Sequence, residues 1–262
     1  MQFQQMHRQV LLLATAQAMF QTVSVLVMTV GGLAGGLVAA SPSLATAPIA
    51  AMFLGTATAT VPASMWMART GRRPGFVLGA LLGTTGGLTA ALGVWLGSLA
   101  VLSLGTFLVG TYQAFAQFYR FAAGEVADET FRPRAISLVL GGGVVAALAG
   151  PVLAHLGQSL FSTQYVGSFL LLSVVSVIAA SLLLGLRVSP PPRAEEGVGA
   201  GRPWGAIVSQ PTYLVALFGA ATGYGIMILA MTATPIAMVH HHHELGAAST
   251  VIQLHVLGMF LP

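Results

Sequence analysis

The chain has 262 residues, of which 56% are hydrophobic and only 6% charged, with a mean hydropathy of +0.86. A soluble domain carries roughly 25% charged residues, so the composition excludes a water-soluble monomer and points to a polytopic membrane protein. No cysteine is present, which removes disulfides and thiolate metal ligands, and all ten basic residues are arginine.

A helix needs about 20 mostly apolar residues to cross a bilayer. In chain order the candidates are 10–38, 45–67, 75–95, 99–121, 134–156, 165–186, 212–238 and 250 onward. The first is too long for the apolar region of a cleavable signal and is followed by further spans, so it is read as a membrane helix. The eighth stops at Pro262, too short to cross, so the chain is expected to be C-terminally truncated. The expected fold class is an all-α polytopic membrane bundle. Residues 1–186 form a six-helix N-terminal half and 187–211 a cytoplasmic linker rich in proline, glycine and charge. Residues 212–262 begin a second half.

The arginines fix the expected topology. Arg8 precedes the first span; Arg69, Arg72 and Arg73 lie between the second and third; Arg120, Arg132 and Arg134 bracket the next connection; Arg187, Arg193 and Arg202 follow the sixth. The alternate loops, 39–45, 96–99, 157–164 and 239–249, contain none. Because cytoplasmic loops carry the arginine excess, the N-terminus is expected inside a bacterial cytoplasmic membrane. The pI near 10.1 is then a topology signal, and the expected surroundings are lipid and a small substrate or metal ion, with no nucleic acid.

Several side chains carry chemistry. Gln17 and Gln21 stand one turn apart on the first span, either lining a central cavity or bonding between helices. Gly142, Ala146 and Gly150 recur every four residues, a seam that lets helices approach closely. Glu125, Asp128 and Glu129 follow Arg120 as a latch with the loop arginines or a solvated cluster. On the seventh and eighth spans, Met227 and Met231 share one face, as do His255 and Met259. Thioethers select Cu(I), and imidazole suits copper too. Methionine also packs membrane cores, and His255 has alternatives as an interhelical partner or proton carrier. His240, His241, His242 and His243 form either a metal-gathering tract or a polar loop. No phosphate loop, nucleophile elbow or intramembrane carboxylate pair is present, so there are no catalytic residues and the protein is not expected to be an enzyme.

The loop "ARTGRRPGF", Ala68 to Phe76, resembles the signature loop of the major facilitator superfamily, G-x-x-x-D-R-x-G-R-R. Arg69, Gly71, Arg72 and Arg73 match, while Ser64 and Ala68 replace the pattern's Gly and Asp. With Arg120 and Glu125 these residues would form the gating loop. The pairs Met227/Met231 and His255/Met259, with "RFAA" and "RAISLVL", are similar to the CcoA-type copper importers within that superfamily. That resemblance implies copper as the transported substrate, bound by Met227, Met231, His255 and Met259 and recruited by His240–His243, with no tightly bound cofactor. The subgroup has riboflavin-carrying relatives, which makes a small organic molecule such as riboflavin the alternative, with Trp66, Phe107, Tyr112, Phe115 and Tyr119 as scattered aromatic candidates.

Overall fold

The computed structural model describes residues 2–188 and 203–260. Within them every regular element is helical: α1 (Gln2–Val38), a short 3₁₀ turn (Pro42–Leu44), α2 (Ala47–Thr70), α3 (Arg72–Trp95), α4 (Leu99–Ala116), α5 (Tyr119–Val126), α6 (Arg132–Leu140), α7 (Gly142–Gln158), α8 (Val166–Leu183), α9 (Trp204–Val208), α10 (Pro211–His240) and α11 (Leu245–Phe260). Seven segments are long and apolar enough to cross a membrane, and Leu245–Phe260 is a shorter apolar helix. The protein is therefore an all-α, multi-pass membrane protein.

Two expected single spans are broken. The fourth divides at Gln117 and Phe118, where the Phe118 N–H bonds back only three residues to the Phe115 carbonyl at 3.1 Å. That tighter turn ends the regular ladder. The fifth divides at Gly141, the first of three consecutive glycines, each a weak helix former. Pro62, Pro151 and Pro235 sit inside α2, α7 and α10, as membrane helices tolerate. Of the expected linker 187–211, residues 189–202 lie outside the described residues, Arg193 and Arg202 with them, and the described remainder includes α9.

Helix packing rests on small residues, because lipid tails leave little hydrophobic drive between helices. α3 lies between α4 and α8, α2 packs on α4, and α1 packs on α7 and α8. A Cβ on Gly110 would strike the Met52 carbonyl, and one on Gly55 the Phe107 carbonyl, so α2 and α4 touch backbone to backbone. The seam on α7 faces α1: a Cβ on Gly142 would lie 2.8 Å from the Ala18 nitrogen, and one on Gly150 would lie 2.8 Å from Val25. Hydroxyls tie the helices further, with Ser173 donating to the Thr84 carbonyl at 3.2 Å and Ser168 to the Ala154 carbonyl at 2.8 Å.

The ends of the bundle differ in charge. The α2–α3 junction, the α5–α6 connection and the end of α8 gather with the start of α1 at one end, through the Arg72–Glu125 pair, the Asp128 N–H to Met6 Sδ contact at 3.5 Å and the Arg187 N–H to Gln9 Oε1 bond at 2.7 Å. All the described arginines belong to this end. At the opposite end α11 returns from α10 and lies along α7, burying Leu245, Ala248, Ile252 and Val256.

Candidate functional site

Where α1, α2 and α4 face α10 and α11, a cavity of about 700 Å³, counted with its opening to solvent, lies near mid-length of α1 and α10. Without that opening the cavity is about 170 Å³, below the roughly 300–1,000 Å³ of small-molecule sites. Its walls combine three side-chain chemistries. Gln17, Gln21, Gln113 and Gln117 supply amides; Phe20, Phe53, Tyr224 and Phe260 supply rings; Met28, Met227, Met231 and Met259 supply thioethers. No arginine, histidine or carboxylate is among the lining residues.

The polar wall is organised around Gln113, which is 6% exposed. The Thr56 hydroxyl, with one hydrogen to donate, meets the Gly110 carbonyl at 3.0 Å, the Met52 carbonyl at 3.1 Å and Gln113 Oε1 at 3.2 Å. Tyr224 lines the same cavity as Gln113. The Tyr224 ring meets Phe53 edge to face, with centroids 6.0 Å apart and planes at 90°. Phe20 backs onto buried Tyr112 at 5.3 Å, which fixes the wall of α1 against α4.

The sequence-derived candidates divide around this cavity. Gln17, Gln21, Met227, Met231 and Met259 line it, but His255 does not. α11 turns Val256, Met259 and Phe260 toward the cavity, and at about 100° per residue His255 falls to the side of that face, where it is exposed. The expected four-ligand arrangement is therefore three methionines without the imidazole. His240, His241, His242 and His243 are exposed at the α10–α11 turn, with His240 and His241 in ring contact at 5.6 Å. Among the described residues no group of three or more His, Cys, Asp or Glu is placed to hold a metal ion.

The aromatic candidates fall elsewhere. Tyr112 and Tyr119 are fully buried between helices, Phe115 is 5% exposed, and Trp66 packs edge-on against Phe115. Phe107 is half-buried and, like the others, does not line the cavity. The lining rings and the amides of Gln113 and Gln117 were not singled out from the sequence.

The signature loop builds an ion pair. Gly71 caps α2 at φ 97°, a conformation that favours glycine. This turn starts α3 at Arg72, whose Nη2 meets Glu125 Oε1 at 2.6 Å and Nε meets Oε2 at 3.2 Å. The guanidinium also lies 5.5 Å from the Phe118 ring centroid. Arg69 and Arg73 are exposed, and Arg120 lies over Phe121 at 5.0 Å. Asp128 instead accepts from the Thr130 hydroxyl and the Phe131 N–H, both at 2.8 Å, which holds its carboxyl below the usual range. Of the expected latch, the Arg72–Glu125 pair is the ion pair that forms among the described residues.

Comparison with known proteins gives the family. Riboflavin transporter RfnT of Brucella anthropi is 38% identical over 258 residues, which is 97% of this chain and 65% of that protein. The MFS-type transporter YddS of Bacillus subtilis is 29% identical, over 90% of this chain and 57% of that protein. The chain thus spans less than two thirds of the length of these relatives. A D-xylose–proton symporter crystal structure shares the fold with a TM-score of 0.67 at 13% identity, over 97% of this chain and 66% of that one. These relatives are named as transporters, not enzymes, and RfnT is named for riboflavin rather than for the copper that the resemblance to the CcoA-type importers implied. The Major Facilitator Superfamily family model matches residues 10–261, and the chain belongs to that superfamily.

Proposed function

We propose that the full-length protein carries a flavin of the riboflavin type across a bacterial cytoplasmic membrane by alternating access. The cavity lining carries this reading. Four glutamines can donate to and accept from the imide edge of an isoalloxazine and the hydroxyls of a ribityl chain, and Phe20, Phe53, Tyr224 and Phe260 offer faces and edges to its planar ring. The 38% identity to a riboflavin transporter supports the same substrate.

In this reading residues 1–186 are the first six-helix half, 187–211 a cytoplasmic linker and 212–262 the start of the second half. The arginine-bearing end faces the cytoplasm. The Arg72–Glu125 pair holds α3 to α5 beside the inner gate, with Arg69, Gly71, Arg73 and Arg120 completing that loop region.

A second reading keeps copper. Met28, Met227, Met231 and Met259 bring four thioethers to one cavity, a soft donor set suited to Cu(I). His240–His243 would gather the ion at the opposite end from the arginines. His255 takes no part in this version of the site.

The test is uptake of radiolabelled riboflavin and of copper by cells expressing the full-length gene. Riboflavin uptake lost in Gln113→Leu and Tyr224→Ala but kept in Met227→Leu supports the flavin reading. Copper uptake lost in Met227→Leu, with no riboflavin uptake, supports the second.

A further inference from the structure

We infer that the cavity selects by charge, accepting the neutral free flavin and rejecting its 5′-phosphate; this rests on the flavin reading. The described lining contains no cation, and its polar groups are the amides of Gln17, Gln21, Gln113 and Gln117 with the hydroxyls of Ser24 and Tyr224. Neutral donors satisfy carbonyls and hydroxyls, but they do not replace the water around a phosphate dianion. Burying a charge without a partner is among the most unfavourable steps in recognition.

The placement of the arginines sharpens the point. The described ones belong to the end of the bundle where α2, α5 and α8 finish, away from mid-length of α1 and α10. Arg72 there is already engaged by Glu125. Gln113, 3.2 Å from the Thr56 hydroxyl, offers the cavity a neutral amide suited to a ring carbonyl.

The experiment uses the purified full-length transporter in proteoliposomes, where no cellular phosphatase acts. Uptake of radiolabelled riboflavin is measured against unlabelled riboflavin, lumiflavin and riboflavin 5′-phosphate. Lumiflavin, which keeps the ring and lacks the ribityl chain, is expected to compete. The phosphate is expected to compete at least about 100-fold more weakly than riboflavin, as an unpaired charge in such a cavity requires. A difference of tenfold or more supports the inference, and a smaller one overturns it. Gln21→Arg and Gln117→Arg, each adding a cation to the wall, should improve phosphate competition relative to riboflavin. An unchanged ratio in whichever variant retains uptake overturns the assignment of selectivity to this cavity. Absence of riboflavin uptake by the wild type overturns the flavin reading itself, and is distinguished from loss of selectivity by that first measurement.

Discussion

The Thr56 hydroxyl on α2 bonds across to α4, reaching the Gly110 carbonyl at 3.0 Å and Gln113 Oε1 at 3.2 Å beside the cavity wall. The two helices are close enough for this bond because Gly55 and Gly110 let their backbones meet. The contact that packs the bundle therefore also brings this hydroxyl beside an amide that lines the cavity. Thr56→Val removes the donor at similar volume. It is expected to raise the KM for riboflavin about three- to tenfold, the effect of losing one neutral hydrogen bond, while Thr56→Ser restores it. Initial uptake rates across riboflavin concentrations measure this, and an unchanged KM in the valine variant contradicts it.

Tyr224 combines a ring against Phe53 with a hydroxyl in the cavity that Gln113 also lines. Tyr224→Phe separates the two contributions. Loss of the hydroxyl is expected to weaken riboflavin binding several-fold, and Tyr224→Ala to weaken it further by about two- to tenfold, the value of an aromatic contact. Fluorescence quenching of bound riboflavin by the purified full-length variants reads both steps. Equal affinity in all three proteins would remove Tyr224 from the site.

The ion pair between Arg72 and Glu125 is partly exposed, with side-chain exposures of 19% and 43%. Such pairs contribute about 0–1 kcal/mol to stability, so Glu125→Gln should leave thermal stability nearly unchanged. Its effect is expected on transport rate, with the maximal rate reduced and KM held. The exchange Arg72→Glu with Glu125→Arg should recover part of that rate. A normal rate in Glu125→Gln would show that the pair has no gating role.

Gly110 cannot accept a side chain where it meets the Met52 carbonyl. Gly110→Val is expected to destabilise the α2–α4 contact by at least about 1–3 kcal/mol, as overpacking does. Detergent-solubilised protein should show a lowered melting temperature or fail to accumulate. A melting temperature equal to the wild type would mean the helices separate easily there.

No lining side chain titrates near neutrality: glutamine, methionine and phenylalanine do not ionise, and the phenol of tyrosine stays protonated. Riboflavin affinity is therefore expected to be flat between about pH 6 and 8. A change of tenfold over that interval, measured by equilibrium binding, would contradict a site formed by these residues.

The bundle was legible in the sequence because its signals are long-range averages. Apolar runs marked the spans, and arginines in alternate loops gathered one end. Gln17 and Gln21 stood out as amides in an otherwise apolar helix, and both line the cavity. The breaks at Gln117–Phe118 and Gly141 were hidden because hydropathy continues across them. Met227 and Met231 both line the cavity, and their sharing a face depends only on the helix period. His255 could not be placed the same way. Its direction depends on which stripe of α11 seats on α7, and burial of Ile252 and Val256 decides that. Phe53, Gln113 and Tyr224 come from three helices, and their meeting depends on tertiary packing that no local pattern encodes.

The most direct measurement is riboflavin uptake by a riboflavin-requiring bacterial strain expressing the full-length gene, with Gln113→Leu alongside and copper uptake assayed in parallel. The account predicts saturable riboflavin entry, growth at low riboflavin, and loss of both in Gln113→Leu with the protein still present in the membrane. Copper entry without riboflavin entry, sensitive to Met227→Leu and indifferent to Gln113→Leu, would contradict it.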